Sequence, residues 1–342
     1  MSLKNLSAKT RIPKLYKEIL KHKRVSRIYR KFEKSFKINE NFVVAVSGGP
    51  DSLALAFFAK IYSLKKKLNS KFLIVDHKLR PESTNEAKFV KKLLKNYFIN
   101  SEILTWKGKK PQKNIQSIAR KKRYELLFAR CNKYKINNIL LGHHQDDLFE
   151  NFFIRMTRGS GLKGLVSFGR ENTIEGKNLL RPLINQKKED LVFISKSVFK
   201  SFIKDPSNDD EKYQRIIIRK LIKGLKKNGL DEKKFLKTIE NLSNSNSVVN
   251  FYVAENLKKN SSFIQNNNKL ILNRNFAKQP QEIVFRSLSE SIKLIGKKFY
   301  PTRGKKLEKI VGNIINRSSF KSTIGGCLIE KVNQTVIIRK EG

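Results

Sequence analysis

Two short stretches of this 342-residue chain carry residue types whose spacing suits chemistry on charged groups. The first is Ser47-Gly48-Gly49-Pro50-Asp51-Ser52. Two glycines let the backbone approach an anion, two hydroxyls offer donors, and a helix starting here aims its free N–H groups at the same point. A plain strand-to-helix turn capped by Asp51 or Ser52 is the competing reading. The spacing is not GxxxxGK[ST], and the third glycine of a dinucleotide fingerprint is missing. The second stretch is His143-His144-Gln145-Asp146-Asp147, with Glu150 three residues on. If helical, Asp147 and Glu150 share a face and can hold an ammonium and later accept its proton. A solvated helix start, where acids suit the dipole, is the alternative. In a chain with only 29 acidic residues the cluster weighs against that alternative.

The elements that must position these residues can be read from apolar runs. Phe42–Val46, Phe72–Val75, Ile103–Trp106 and Ile139–Leu141 read as strands. Asp51–Leu64, Ser83–Tyr97 and Asn114–Tyr134 read as the helices between them. Such alternation implies an α/β fold, a parallel sheet with helices on both faces, whose ligands bind at the carboxyl ends of the strands. Both chemical stretches fall at such ends. After about residue 210 the alternation stops. Lys212–Lys227, Asp231–Leu242, Ser247–Lys259, Gln279–Leu294 and Arg303–Ile315 look helical, with Ser243–Asn246 as a polar loop. A short strand at Leu270–Asn273 and a hairpin over Gly326–Arg339, turning near Asn333, complete the pattern. The expected organisation is a basic helical lead-in at 1–40, a catalytic domain at 41–210 and a smaller, mainly helical domain at 211–342.

Composition bounds the partners. Seventy-four Lys and Arg against 29 Asp and Glu give a net charge of +45, spread along the length. Codon bias accounts for part of the lysine but not for the scarcity of acids. A chain this basic repels itself unless a polyanion neutralises it, so nucleic acid is the natural partner. Cys131 and Cys327 form no CxxC pair and no disulfide framework, which suits a reducing cytoplasm. Four histidines are too few and too scattered for a zinc cage. No apolar run reaches the roughly 20 residues of a spanning helix. Met1 to Arg30 is basic, broken by Pro13 and without an apolar core, so a non-exported cytoplasmic protein is expected.

The loop after the first strand resembles the SGGxDS signature of the PP-loop ATP pyrophosphatases, which cleave ATP between its α and β phosphates. The rest resembles one family among them, the tRNA(Ile)-lysidine synthetases. Asp76-His77-Lys78-Leu79-Arg80, with Ser83 and Glu86-Ala87, is similar to VDHxLRxxSxxEA. Ala119-Arg120-Lys121-Lys122-Arg123-Tyr124 is similar to ARxxRY, and Leu141–Asp147 to LGHHxDD. Arg158–Leu165 resembles RGSGxxGL, and Arg181-Pro182-Leu183 follows. Asp205-Pro206-Ser207-Asn208 with Arg215 and Arg219 resembles DxSN…RxxxR, and Thr323–Cys327 resembles the end of the second domain. The resemblance is dense over 42–220 and thin beyond. Asn151 departs from the Thr that usually follows Glu150. The chain ends soon after Gly325-Gly326, so the further C-terminal domain of longer members is expected to be missing.

The resemblance implies a PP-loop, Rossmann-like fold and a two-step reaction. ATP adenylates the C2 oxygen of the wobble cytidine of a CAU-anticodon tRNA(Ile) and releases pyrophosphate; free L-lysine then attacks C2 and expels AMP. ATP would be held by Ser47, Gly48, Gly49, Pro50, Asp51 and Ser52, with Asp51 as a Mg²⁺ ligand because that ion takes oxygen. The catalytic candidates are Asp51, Asp147, Glu150 and His144, the two later carboxylates receiving the lysine ammonium. His143 and His144 either donate to phosphate or cytosine or pack beneath the nucleotide. Arg120, Arg123, Arg158, Arg215 and Arg219 are the candidates for phosphate and tRNA, although Arg120 and Arg123 are equally readable as surface charge. Trp106 reads as core. No disulfide partner or membrane is expected, and a homodimer is an allowed assembly. The main rival is another PP-loop enzyme such as a tRNA thiolase, which two lone cysteines disfavour. NAD or GMP synthetases would not call for +45, and a non-catalytic RNA-binding scaffold would not keep the loop with Asp147 and Glu150.

Overall fold

The computed structural model describes residues 12–108, 111–203, 214–264, 268–296 and 304–341. The chain divides into two compact units, Met1–Glu232 and Lys233–Gly342.

The first unit opens with helices α1 (Lys14–Lys21) and α2 (Lys23–Ser35) and then alternates. Its elements are β1 (Phe42–Val46), α3 (Pro50–Lys66), β2 (Ser70–Asp76), α4 (Ser83–Asn96), β3 (Ser101–Thr105), α5 (Ile115–Tyr134), β4 (Asn138–Leu140) and α6 (Gln145–Thr157). A short α7 (Leu162–Leu165), β5 (Glu171–Ile174), β6 (Lys177–Leu180), α8 (Lys188–Phe199) and α9 (Gln214–Lys227) follow. The sheet order is β3-β2-β1-β4-β6-β5, parallel except for the antiparallel edge strand β5. Both faces are covered, which is why β1 is apolar at every position instead of alternating. Phe42, Val44 and Val46 pack into one core with Phe57, Phe58 and Tyr62 of α3. Val43 points to the other core, with Leu127, Phe128 and Cys131 of α5.

The lead-in helices are part of the first core. Tyr16, Val25, Ile28, Tyr29 and Phe32 are buried there, and Tyr16 meets Phe57 edge-on with ring centroids 5.3 Å apart. Helix α3 is therefore enclosed by the sheet, α8 and the lead-in, and Leu53 through Ala59 are all fully buried. Helix α9, which sequence reading assigned to the second domain, is counted with the first unit and packs on α6. Asp205, Pro206, Ser207 and Asn208 lie outside the described residues.

The second unit differs from the expectation in two places. Helix α10 (Glu232–Asn260) runs unbroken through Ser243–Asn246, the segment read as a loop. The serines satisfy themselves by donating back one turn, Ser245 to the Asn241 carbonyl and Ser247 to that of Ser243, at 3.1 Å each. Asn246 and Asn250 accept from buried Arg286 of α11 (Gln281–Gly296), so polar residues face a partner helix. The strand content is also larger than a hairpin. Strands β7 (Ser261–Ile264), β8 (Lys269–Leu272), β9 (Ser319–Ile324), β10 (Cys327–Val332) and β11 (Thr335–Lys340) form an antiparallel sheet in the order β7-β8-β11-β10-β9. Helices α11 and α12 (Gly304–Asn316) close its core. The expected hairpin is β10–β11, with Asn333 at φ 55° in the turn.

Candidate active site

The loop between β1 and α3 is built around Ser52. Its hydroxyl accepts from the Ser47 and Gly48 amides and from the Ser47 hydroxyl, each at 3.1 Å, and donates to the Gly49 carbonyl at 3.0 Å. Several donors converge on one oxygen, an arrangement a phosphate oxygen also accepts. Gly48 holds φ +86°, and a Cβ there would lie 2.4 Å from Val90 Cγ2. Gly49 precedes the helix and Pro50 opens it, a position where the missing N–H costs nothing. Gly142 is required by close approach, since its Cβ would sit 3.0 Å from the Ser52 backbone.

Asp51 stands in the first turn of α3, where the helix dipole suits a carboxylate. Its Oδ2 accepts from Lys188 Nζ at 2.5 Å and lies 3.8 Å from His144 Nε2, while Oδ1 is buried without a hydrogen bond. That orphaned oxygen fits a hard cation. Among the described residues no group of three or more His, Cys, Asp or Glu could hold a metal. A Mg²⁺ ion here would therefore draw most of its ligands from phosphate and water, its usual habit.

His144 caps α6 and lies among three carboxylates, those of Asp51, Asp146 and Asp147. Its Nδ1 accepts from the Asp146 amide at 3.2 Å, and its Nε2 is 3.5 Å from Asp147 Oδ2. The Asp147 carboxylate reaches back to the His144 amide at 3.0 Å, completing a capping box. Burial opposes the charge on Asp147, but His144, His143, the His144 amide and Arg215 together hold its carboxyl below the usual range. Glu150, 3% exposed, is turned differently. It accepts from Arg219 of α9 at 2.6 Å, and burial raises its pKa despite that guanidinium. The two acids read as a shared face are thus not presented alike.

Ser47, Asp51, Ser52, Arg123 and Asp147 line one cavity of about 610 Å³ at the carboxyl edge of the sheet. His77 and His143 line it too. Burial, helped by Arg123 and opposed by Asp76, pushes His77 down to about 4. Burial, opposed by Asp147 and helped by Arg181, Arg123 and Arg120, pushes His143 down to about 3. Both rings are neutral at pH 7, and each keeps a buried Nδ1 without a partner. They can exchange hydrogen bonds with a neutral base but bring no charge to a phosphate. His143 also packs edge-on against Phe168 with centroids 5.0 Å apart.

The remaining predicted residues lie outside the cavity lining. Arg120 is exposed, its guanidinium 5.5 Å from the Tyr124 ring. Arg158 is exposed and bonds Gln214, Arg215 is exposed, and Arg219 is occupied by Glu150. Gly48, Gly49 and Pro50 shape the loop without lining the cavity, and Trp106 is largely buried, as core. Sequence reading missed Lys188. Its signal was a lysine at the start of a helix, the end where the dipole opposes a cation, so that a carboxylate partner had to be sought. Asp76, quoted only within a motif, is buried and holds the turn after β2. It accepts from the Lys78 amide at 3.0 Å, Ser83 at 2.9 Å and Thr84 at 2.8 Å.

Comparison with known proteins places this geometry. Residues 20–225 match the family model of the PP-loop domain. The chain is 32% identical to the tRNA(Ile)-lysidine synthase of Orientia tsutsugamushi (strain Boryong), over 90% of this chain and 71% of that protein. It is 32% identical to the enzyme of the same name from Wolbachia pipientis wMel, over 89% and 71%. Among solved structures, the U34-tRNA thiolase NcsA from Methanococcus maripaludis matches with a TM-score of 0.55 at 20% identity, covering 64% of this chain and 79% of that one. At that identity the likeness concerns the fold alone. Cys131 and Cys327, the two cysteines of the sequence, are both buried, Cys131 in α5 and Cys327 in β10, and burial pushes the Cys131 thiol up to about 11.

Proposed function

The chain belongs to the tRNA(Ile)-lysidine synthase family of PP-loop ligases, and from that premise we propose how its own residues divide the reaction. ATP adenylates the C2 oxygen of the wobble cytidine of a CAU-anticodon tRNA(Ile), with pyrophosphate leaving. The amine of free L-lysine then attacks C2, and AMP leaves with the oxygen. The observation that carries the reading is that Ser47 and Ser52 of the loop line one cavity together with Asp51 and Asp147.

The amides of Ser47 and Gly48 and the hydroxyls of Ser47 and Ser52 hold the triphosphate. Asp51 would hold Mg²⁺ through its free oxygen, and Lys188 keeps that carboxylate in place. Mg²⁺, when bound, supplies charge neutralisation on the triphosphate and the leaving pyrophosphate. The neutral rings of His77 and His143 face the bases, because a neutral imidazole offers one donor and one acceptor. Asp147, held ionised, receives the lysine ammonium and then its proton. Glu150 works one step removed: its bond to Arg219 fixes α9 against α6. Exposed Arg120, Arg158 and Arg215, with the excess of lysine, meet the tRNA backbone. The substrates are those of the cytoplasm, and among the described residues no helix is long and apolar enough to cross a membrane.

The test uses purified chain, labelled lysine, ATP and a CAU-anticodon transcript. Labelled RNA together with AMP and pyrophosphate is expected. ATP cleavage with no lysine in the RNA would point to another PP-loop modification.

A further inference from the structure

A second cavity in the first unit, of about 370 Å³, is assigned no role by the reaction above. Three separate segments meet there: Lys31, Lys34 and Ser35 at the end of α2, Arg170 ahead of β5, and Pro182–Gln186 after β6. No carboxylate lines it. Glu33, the nearest acid on α2, is bonded by Lys65 and Tyr29. Lys31 and Lys34 have no hydrogen bond or ion pair among the described residues. Arg170 spends one N–H on the Ser35 carbonyl at 3.4 Å.

Lys34 alone has a simple explanation, since a cation in a last turn complements the helix dipole. That explanation does not extend to Arg170, brought from elsewhere in the chain, nor to Gln186. Gln186 is 4% exposed, and its side-chain amide has no partner among the described residues. Its amide opens onto the cavity that the residue lines and can take a hydrogen-bond partner from there. Three cations and an amide donor around a hollow without acids make an anion site. The lysines are exposed, so the anion can be part of a large molecule lying across the surface.

We propose that this cavity takes a backbone phosphate of the tRNA, a contact that rests on the tRNA substrate proposed above. Its position favours RNA over a free ion. Pro182–Gln186 leave the carboxyl end of β6, the edge from which the ATP cavity also opens. The Gln186 carbonyl accepts from the Gln145 amide at 3.0 Å, at the first residue of the helix that carries Asp147. A strand with its wobble base at Asp147 therefore has flanking phosphates within the territory of this hollow. The lead-in helices thus contribute to RNA binding as well as to the core.

The experiment compares the full chain with its Lys31→Ala/Lys34→Ala and Lys31→Arg/Lys34→Arg forms. Affinity for a CAU-anticodon tRNA(Ile) transcript is measured across salt, alongside the KM values for ATP and lysine and competition by inorganic pyrophosphate. The alanine form should bind tRNA about tenfold more weakly at ~100 mM salt, and its slope of log affinity against log salt should flatten by roughly one. The arginine form should stay near wild type, and neither KM nor pyrophosphate competition should move. Unchanged tRNA affinity and slope would overturn the site. Weakened pyrophosphate competition with unchanged tRNA affinity would assign it to a free anion and overturn the RNA contact. If the wild-type chain binds tRNA but forms no lysidine, the proposed reaction fails while the variants still judge the phosphate contact. A wild-type chain that binds no tRNA would overturn both.

Discussion

Replacing Gly48 with alanine tests the phosphate loop at its tightest point. Gly48 holds φ +86°, where a side chain costs about 1–2 kcal/mol. The new Cβ would also stand 2.4 Å from Val90 Cγ2 and 3.1 Å from Ile203 Cγ1. Val90 is 1% exposed and has little room to yield. Ile203 donates its amide to the Gly48 carbonyl at 2.9 Å, so displacing it disturbs the loop itself. Overpacking of this kind costs about 1–3 kcal/mol, which with the backbone strain makes a loss of roughly 2–5 kcal/mol. A unit of this size loses about 2–4 °C of melting temperature per kcal/mol. Gly159→Ala supplies the control, since Gly159 has φ +66° but no atom within 4 Å of its Cβ. It should carry the backbone strain alone. Thermal melting and the KM for ATP are measured on both variants. Gly48→Ala should melt lower than Gly159→Ala and bind ATP more weakly. Equal melting with unchanged ATP affinity would refute the claim that this glycine is dictated by close packing beneath the loop.

Other outcomes follow from the same geometry. Asp51→Asn should abolish AMP formation while tRNA affinity stays within a few-fold, measured by product release and by titration; normal turnover would remove Asp51 from metal binding. Asp147→Asn should raise the lysine requirement roughly ten- to a hundred-fold, the loss of one charged hydrogen bond, and adenylated tRNA should accumulate when lysine is limiting. Glu150→Gln should raise it less and lower the melting temperature, because its carboxylate is engaged by Arg219; the reverse order would return the lysine contact to Glu150. Asp76 should shape the acid limb of stability. Burial opposes its charge, but the bonds from Thr84, the Lys78 amide and Ser83 depress its folded pKa below 3.8. Its contribution is therefore complete above about pH 4 and lost as pH falls through the depressed value. Asp76→Asn should lower stability at pH 7 and flatten that limb in melting curves, and an unaltered limb would count against these bonds.

Much of the site was legible because it lies where strand ends meet helix starts, and those junctions are punctuated by glycine, proline and short polar residues. The loop at 47–52 and the HHQDD stretch could be placed from local sequence alone. What stayed hidden depends on distant partners. Nothing near Glu150 announces Arg219, 69 residues on, nor does anything near Asp51 announce Lys188. The lead-in was legible in part: Val25, Ile28, Tyr29, Phe32 and Phe36 repeat at helical spacing, and all five are buried. Their basic neighbours masked that stripe. The serines and asparagines of 243–246 suggested a loop because such residues compete for backbone hydrogen bonds. In the long helix Ser245 donates back to the Asn241 carbonyl and Asn246 accepts from Arg286, so both are satisfied without breaking it. Strands β7 and β9 were missed because their sequences, SSFI and SFKSTI, carry too few apolar residues to declare a face.

The most direct test of the account is the identity of the nucleoside at the wobble position after reaction. The full chain is incubated with ATP, isotopically labelled lysine and paired transcripts, one with a CAU anticodon and one with UAU. The RNA is then digested to nucleosides and analysed by mass spectrometry. The account predicts a cytidine–lysine adduct carrying the label at the wobble position of the CAU transcript alone, with one AMP and one pyrophosphate released per adduct. ATP turnover with an unmodified or sulfur-bearing wobble base, or adduct formed equally on both transcripts, would contradict it.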